Sequence, residues 1–262
     1  LIHHEDGFGP EEADRLLRRR TWIRRLLLRR AAAVAVPSRV LEEIALTRWR
    51  VPRARVHYLP NGVDLQRFHP VERDPGRRVV VGHVGHLRPE KNQTLLLTAF
   101  AQGPARRGAL LRMVGAGVEE DRLRRLAAAL GVADQVDFVG RIADTAPVYA
   151  DMDLFVLSSD TEQMPLTVLE AMASGLPVAS TDVGDVRNMV APVGRQWITP
   201  RRDAAALAAS LDALVADPGL RERIGAANRA HCSEAYDTHA CYRAWIEFYL
   251  DTLGWVPSAN AV

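Results

Sequence analysis

Two glutamates, Glu162 and Glu170, stand on either side of a proline in the stretch TEQMPLTVLEAMASGLPV, residues 161–178. Either this is an ordinary helix start or the two carboxylates hold a ligand. Pro165 suits a first helical position, because it has no N–H to leave unpaired. Leu166, Val168, Leu169, Ala171, Met172 and Ala173 then form a short apolar helix. Gly175 can end it in the left-handed conformation, and Pro177 blocks its return. Glu162 therefore falls in the loop before the helix and Glu170 in its second turn. A carboxylate inside a short apolar helix is costly to bury without a donor. The plain alternative is a solvated glutamate on an exposed stripe, and the local pattern leaves both readings open.

Other stretches offer complementary chemistry. Lys91 is the only lysine in the chain; every other basic side chain is arginine. It stands in VGHVGHLRPEKNQ, residues 81–93, where a strand-end glycine is followed by His86, Arg88 and Lys91. Strand-end glycines permit close backbone approach, and cations suit a phosphate. VGAGVEED, residues 114–121, is a strand, a glycine turn at Gly115 and a helix. It lacks the last glycine of a dinucleotide fingerprint. In FVGRI, residues 138–142, Arg141 and Ile142 follow a strand whose loop can meet a base edge through backbone groups. The N–H groups from Gln163 to Thr167, with Met164 and Leu166 between, open a helix and make a natural phosphate site. A ribose diol at Glu170 would supply the donors its carboxylate needs.

These residues need elements to position them. From about residue 78, short apolar runs (78–85, 109–115, 136–140, 153–159, 177–181) alternate with helical patterns (92–102, 119–131, 145–152, the helix after Pro165, 185–190). That alternation predicts an α/β fold with a parallel sheet covered on both faces. Ligands on such sheets sit at the carboxyl ends of the strands. Helices are expected over 203–217 and 239–254, and a smaller piece precedes residue 70 with a strand at 31–38, a helix at 39–49 and a strand at 56–64. The charged stretch 71–78, with Pro75 and Gly76, reads as a linker.

Composition sets wide bounds. The chain has 262 residues, 48% hydrophobic and 25% charged, with a net charge of +2, as in an ordinary globular protein. Cys232 and Cys241 make no metal pattern and are too few for a disulfide scaffold, so they read as reduced thiols of a cytoplasmic protein. No run is long enough to span a bilayer, and LIHHEDGFG reads as a strand running into a loop, so the chain is expected to be a fragment lacking earlier strands. Residues 15–30 carry eight arginines among Leu, Trp22 and Ile23. This is either a surface helix with a basic outer side or a helix lying on an anionic membrane, at the inner face. No aromatic platform accompanies the arginines, so no nucleic-acid partner is expected.

The four stretches, in this order, resemble the family-4 retaining glycosyltransferases of the GT-B fold, over the whole chain. LPNGVDLQRF (59–68) is similar to that family's interdomain turn, VGHVGHLRPEKN to its phosphate loop and TEQMPLTVLEAMASGLPV to its Glu-x7-Glu signature. STDVGDVRNMV (180–190) follows at the usual place. The resemblance implies two Rossmann-like domains: a partial N-terminal one at 1–70 on the acceptor side, a linker at 71–78, and a complete nucleotide-sugar-binding one at 79–235. A helix at 236–262 would pack back toward the first. It implies that Lys91 meets the diphosphate and Glu170 the ribose. Glu162 would face the sugar, as would His3, ahead of His4. Gln163 and the amides of Met164, Leu166 and Thr167 would meet phosphate or sugar. Gly115 would lie near the donor, and Arg141 and Ile142 beside the base. Two departures stand out. His86 occupies a position usually held by arginine, and histidine is only partly charged near neutrality, so Arg88 is expected to assist. A Gly184–Asp185 pair also replaces paired glycines.

The resulting expectation is a hexosyltransferase-type enzyme. It moves a sugar, with retention, from a UDP-, GDP- or ADP-sugar to a hydroxyl on a polysaccharide, a glycolipid or a small molecule. It needs no cofactor and no metal. Asp151 and Asp153 imitate a metal-binding DxD, but Asp153 opens a strand. A glycosidase pair at Glu162 and Glu170 would need a fixed separation across a glycosidic bond. The alternatives are a non-catalytic nucleotide-sugar-binding module and, behind it, an NAD(P)-dependent oxidoreductase. A fragment would bind donor and still be inactive.

Overall fold

A computed structural model of the chain describes residues 1–8, 10–12, 16–74 and 76–255. Arg15 of the expected basic helix and Pro75 of the expected linker lie outside these residues, as do 256–262. The chain divides into two compact units, Leu1–Gly62 with Tyr236–Val262, and Val63–Ala235. The change-over thus falls within the expected turn at 59–68, and residues 71–78 belong to the second unit.

The first unit holds a parallel sheet of three short strands, β1 (Ile2–His4), β2 (Ala33–Val36) and β3 (Val56–Tyr58), paired in that order. β2 is AVAV with every residue buried, as an apolar strand covered on both faces must be. Helices α1 (Arg18–Leu28) and α2 (Arg39–Thr47) connect the strands. Ser38 caps α2, its hydroxyl accepting from the Leu41 N–H at 3.1 Å, which satisfies a donor the helix cannot. The final helix, Thr238–Leu253, also belongs here. Phe248 from that helix packs with Ala33, Ala35 and Leu59.

The second unit is a six-stranded parallel sheet. Its strands are β4 (Val79–Val84), β5 (Ala109–Val114), β6 (Val136–Gly140), β7 (Leu154–Leu157), β8 (Val178–Thr181) and β9 (Ile198–Thr199). Their order is β6-β5-β4-β7-β8-β9. Counted from the first strand of the unit, that is 3-2-1-4-5-6, the order of dinucleotide-binding sheets. The chain winds outward from β4 to β6, then returns to β7 beside β4. The carboxyl ends of β4 and β7 therefore flank the crevice where the winding reverses. Helices α3 (Gln93–Gln102), α4 (Ala105–Gly108), α5 (Glu120–Ala129), α6 (Ala146–Ala150), α7 (Leu166–Ala173), α8 (Val186–Met189), α9 (Ala204–Ala216) and α10 (Pro218–Ala235) follow, and the final helix is α11. Leu96, Phe100, Leu111, Met113 and Val156 are fully buried in the main core.

Strands end earlier than their apolar runs. β7 stops at Leu157, and Ser158 and Ser159 continue as loop. α7 starts one residue after Pro165 and is followed by Gly175 at φ +69°, the left-handed stop that the sequence predicts. Gly115, leaving β5, is held at φ +138°, and a Cβ there would lie 1.9 Å from the Gly85 carbonyl oxygen.

Gly115→Ala is expected to cost about 1–3 kcal/mol from backbone strain and a further ~1–3 kcal/mol from the clash. Gly131→Ala is the control: its φ is +69° with nothing within 4 Å, so it should show the strain alone. Urea denaturation of both variants measures the difference.

Candidate functional site

The loop leaving β4 is clamped from several sides. The Gly85 N–H donates to Val114 O at 2.9 Å, and the Leu87 N–H to Ala116 O at 3.1 Å. Leu87 itself is buried and accepts from the Glu119 N–H at 3.1 Å. On the far side, the Gly115 N–H donates to Gly140 O at 2.8 Å. The loops after β4, β5 and β6 are thus stitched edge to edge. Between them lies a cavity of about 470 Å³ lined by Gly85, His86, Gly115, Arg141 and Ile142 among others. Four of the sequence-predicted residues (His86, Gly115, Arg141 and Ile142) share this one cavity. His86 and Arg88 are exposed.

A buried histidine fixes the same loop from below. His83 is fully buried, with Nδ1 3.0 Å from Val156 O and Nε2 3.2 Å from Gln93 Nε2. Burial pushes its pKa down to about 4, helped by the charge of Lys91 and opposed by the bond to Val156. A neutral ring fits these contacts, with Nδ1–H donating to the carbonyl and Nε2 accepting from the amide. The same Gln93 amide donates to His86 O at 2.8 Å. His83 lies in β4, whose residues from Val80 to Val84 are all buried, so no alternation in the sequence singles it out.

At the winding reversal, Lys91 and Glu162 meet. Lys91 Nζ lies 2.5 Å from Glu162 Oε1, and the Ser159 hydroxyl donates to the same oxygen at 2.7 Å. The Ser158 hydroxyl donates to the Lys91 carbonyl at 3.0 Å. Asn92 takes the left-handed conformation at φ +47° and caps α3 through its side chain; its amide also donates to Asp160 at 3.1 Å. The lysine is therefore anchored at its backbone and its ammonium. Ser158, Ser159 and Asp160 escape a reading of single residues, and the polar run ending an apolar strand is their only sequence signal.

Gln163 Oε1 is buried with no hydrogen-bond partner among the described residues. The backbone oxygen of Gln163 accepts from the Asp185 N–H at 2.8 Å. Gly184 sits at φ +50°, where a Cβ would come within 2.5 Å of that same oxygen. The Gly184–Asp185 pair thus still forms a tight turn against 162–163, with Asp185 buried and bonded to the Asn188 amide. Met164 is buried, Leu166 exposed and Thr167 half-buried at the start of α7.

Glu170 does not join the Lys91–Glu162 pair; its neighbours are Tyr149 and Arg67. Burial raises its pKa above the ordinary 4.5, opposed by hydrogen bonding with Tyr149 and by the charge of Arg67. Tyr149 is completely buried, and burial with the adjacent Glu170 charge drives its own pKa up. Its hydroxyl makes no hydrogen bond of standard geometry among the described residues, so Glu170 is only partly compensated. Arg67 is committed elsewhere, to Asp144 at 2.8 Å. Tyr149 and Arg67 carry no signal in the sequence.

His3 lies in the first unit. Its Nε2 is buried without a hydrogen bond, 3.6 Å from the Glu5 carboxylate. His4 is engaged, with Nε2 2.9 Å from the Tyr249 hydroxyl and its ring stacked on Trp245. The DxD look-alike is engaged as well. Asp153 accepts from the Val80 N–H at 2.7 Å and pairs with Arg77 at 3.1 Å, and Asp151 pairs with Arg112.

The sequence profile of the glycosyl transferases group 1 matches residues 65–231, and that of glycosyltransferase family 4 matches residues 2–67. The chain belongs to the glycosyl transferases group 1 family. A GDP-mannose-dependent alpha-mannosyltransferase of Mycolicibacterium smegmatis is 36% identical over 65% of this chain and 44% of its own length. A D-inositol 3-phosphate glycosyltransferase of Geodermatophilus obscurus is 36% identical over 68% of this chain and 43% of its own. The matches thus span less than half of these relatives. Among solved structures, Anabaena HepE in complex with UDP superposes with a TM-score of 0.84 at 22% identity, over 95% of this chain and 72% of that one. Sucrose-phosphate synthase of Thermosynechococcus elongatus gives 0.84 at 27% identity, over 97% and 68%. The fold is α/β of the GT-B type, as the sequence implies.

The raised pKa of Glu170 has a testable sign. The native state holds this proton more tightly than the unfolded chain, so stability is lost as pH rises through and above the ordinary glutamate value. Glu170→Gln should raise the melting temperature of the ligand-free chain at pH 7–8, by about 2–4 °C per kcal/mol recovered, and the gain should vanish below about pH 4. Thermal denaturation at the two pH values checks it.

Proposed function

We propose that this chain is the donor-binding part of a retaining glycosyltransferase that moves a sugar from a nucleoside diphosphate sugar to a hydroxyl acceptor. The observation that carries this reading is the meeting of Lys91 and Glu162 between the ends of β4 and β7, beside the start of α7. An anionic ligand placed there would meet an ammonium and the unpaired N–H groups of a helix start. The diphosphate would take Lys91 from Glu162. The freed Glu162 carboxylate, with Gln163 Oε1, would then accept hydrogen bonds from the sugar hydroxyls. The ribose diol would donate to Glu170, relieving a carboxylate that burial leaves under-compensated. The base would enter the cavity at Arg141 and Ile142, with His86 and Arg88 beside the phosphates.

Catalysis would then be mainly electrostatic. The C1–O bond to the diphosphate breaks as charge builds on the leaving oxygen, and Lys91 and the amides of α7 stabilise it. The acceptor oxygen bonds to C1 on the same face, and its proton passes to the departing phosphate. No side-chain nucleophile is needed. His3, beside Glu5, is the first unit's candidate for a sugar contact by family resemblance. The name of the Mycolicibacterium relative supports GDP-mannose as donor.

Calorimetry with UDP, GDP, UDP-glucose and GDP-mannose tests the site. One nucleotide series should bind in the micromolar range. Lys91→Ala should weaken it by about 10–100-fold, the value of a charge-assisted bond of ~1.5–3 kcal/mol, and Glu170→Ala by a similar factor. A folded chain that binds none of the four would sink the donor assignment.

The acceptor side of the proposal concerns α1. Trp22, Leu26 and Leu27 are 69%, 58% and 58% exposed there, among Arg18, Arg19 and Arg25. Arg20 and Arg24 are paired with Glu11, Glu12 and Glu5. An exposed apolar stripe among arginines fits an anionic lipid surface and a lipid-linked acceptor. No helix among the described residues is long and apolar enough to cross a membrane. The chain should co-sediment with phosphatidylglycerol vesicles and not with phosphatidylcholine vesicles, and Trp22→Ala with Leu26→Ala should reduce binding about tenfold or more. Equal binding to both vesicles, or to neither, would remove the membrane contact.

A further inference from the structure

We propose that the second unit carries another ligand site, for a sugar-phosphate-sized phosphate monoester, at the opposite end of its sheet from Lys91. A cavity of about 700 Å³ opens where β4, β7 and β8 begin, walled in part by Val79 and Pro177. Four arginines line it: Arg73, Arg77, Arg221 and Arg229. Three of them have protein partners. Arg77 pairs with Asp153 at 3.1 Å. Arg221 Nη1 donates to Leu214 O and Val215 O, each at 2.8 Å. Arg229 Nη1 donates to Phe68 O at 2.8 Å and Ala173 O at 2.7 Å.

Arg73 is different. Its Nε and Nη2 are buried and have no hydrogen-bond partner among the described residues. These two donors form one edge of the guanidinium, the edge that takes two oxygens of a phosphate or carboxylate side-on. A buried donor pair without an acceptor is a standing cost. Burial accordingly holds the Arg73 pKa below the ordinary guanidinium value. No hydrogen bond fixes this edge where it is, so it can turn into the cavity to meet an anion. The first turn of α10, which supplies Arg221 to the wall, adds the positive end of an 18-residue helix.

The acids of the cavity decide the kind of anion. Asp153 is taken by Arg77 and the Val80 N–H. Asp74 and Glu222 also line the wall, and carboxylates repel a bare phosphate but accept from hydroxyls. The volume lies within the range of small-molecule sites and far exceeds one phosphate group. A phosphate on Arg73 with a polyol reaching Asp74 and Glu222 satisfies both sets of groups. The cavity also touches Gly175 at the end of α7, the helix whose start is assigned to the donor, so occupancy is placed to be felt there.

The test is calorimetric titration of glucose 6-phosphate and of inorganic phosphate, with and without saturating UDP or GDP. The expected result is one site for glucose 6-phosphate that persists when nucleotide is present, with inorganic phosphate about tenfold weaker or more. Arg73→Gln should lose about tenfold or more, the worth of a charge-assisted pair, while Lys91→Ala changes nothing. Glu222→Gln, at an exposed position that does not threaten folding, should weaken glucose 6-phosphate and leave inorganic phosphate unchanged. Binding that is lost in Lys91→Ala, or displaced by nucleotide, would assign the phosphate to the donor site and overturn the proposal. So would equal affinity for the two phosphates, no binding of either, or Arg73→Gln binding as tightly as the parent chain.

Discussion

The hydrogen-bonded seam between the loops leaving β4 and β5 is the constraint on which the carboxyl end of the second unit's sheet depends. Gly85, Leu87, Val114, Ala116 and Glu119 exchange three backbone bonds there. Backbones meet this closely only because Gly115 and Gly117 lack a Cβ, which would fall 1.9 Å and 2.2 Å from the carbonyl oxygens of Gly85 and Leu87. The seam leaves the 86–91 segment no freedom to settle against the core, so its cations stay at the sheet edge. The buried His83–Gln93 link locks the same segment from inside the sheet. A neutral imidazole is essential to that link, because an imidazolium would have no lone pair for the Gln93 amide.

With the backbone fixed, the side chains can be left partly unsatisfied. Glu170 is pressed into a buried setting with a tyrosine that does not fully compensate it. Gln163 Oε1 has no partner, and the one lysine spends its charge on Glu162. Each costs the ligand-free chain stability or holds a group in reserve. Such local misfits persist where the surrounding structure over-determines them, and they cluster at functional sites. Lys91 and Glu162 share a half-buried setting, where an unpaired carboxylate would be costlier than a paired one. The pair therefore keeps both groups in place until something with a better charge match arrives.

The parts legible in the sequence are those set by local chemistry. Pro165 and Gly175 bracket α7, which separates the settings of Glu162 and Glu170 without any knowledge of the fold. The alternation of apolar runs and helical patterns is enough for a parallel sheet. Strand limits were less legible: β7 gives up Ser158 and Ser159, because their hydroxyls bond to Lys91 O and Glu162 rather than entering the ladder. The partners of Glu170 were not legible at all. Tyr149 reaches it from α6 and Arg67 from the start of the unit, and only the tertiary fold sets those distances. A boundary at 71–78 was suggested by charge and proline, yet Arg73 and Arg77 are lodged in the second unit. Composition marks a linker and an arginine-lined wall in the same way.

That ambiguity has a physical root in the two ends of a parallel sheet. All six strands of the second unit run the same way, so the two edges of the sheet present different groups. At the carboxyl edge, loops with glycines and helix starts gather N–H donors, and the side chains there can be selected for a ligand. At the amino edge the strands begin, and their first N–H groups need acceptors from elsewhere. Asp153 meets that need at Val80 and is in turn held by Arg77, as Asp151 is by Arg112. Asp153 is explained by this demand, and a largely buried carboxylate needs a cation, which Arg77 supplies. With Asp151 and Asp153 paired to other arginines, one edge of the Arg73 guanidinium is left without a hydrogen-bond partner among the described residues.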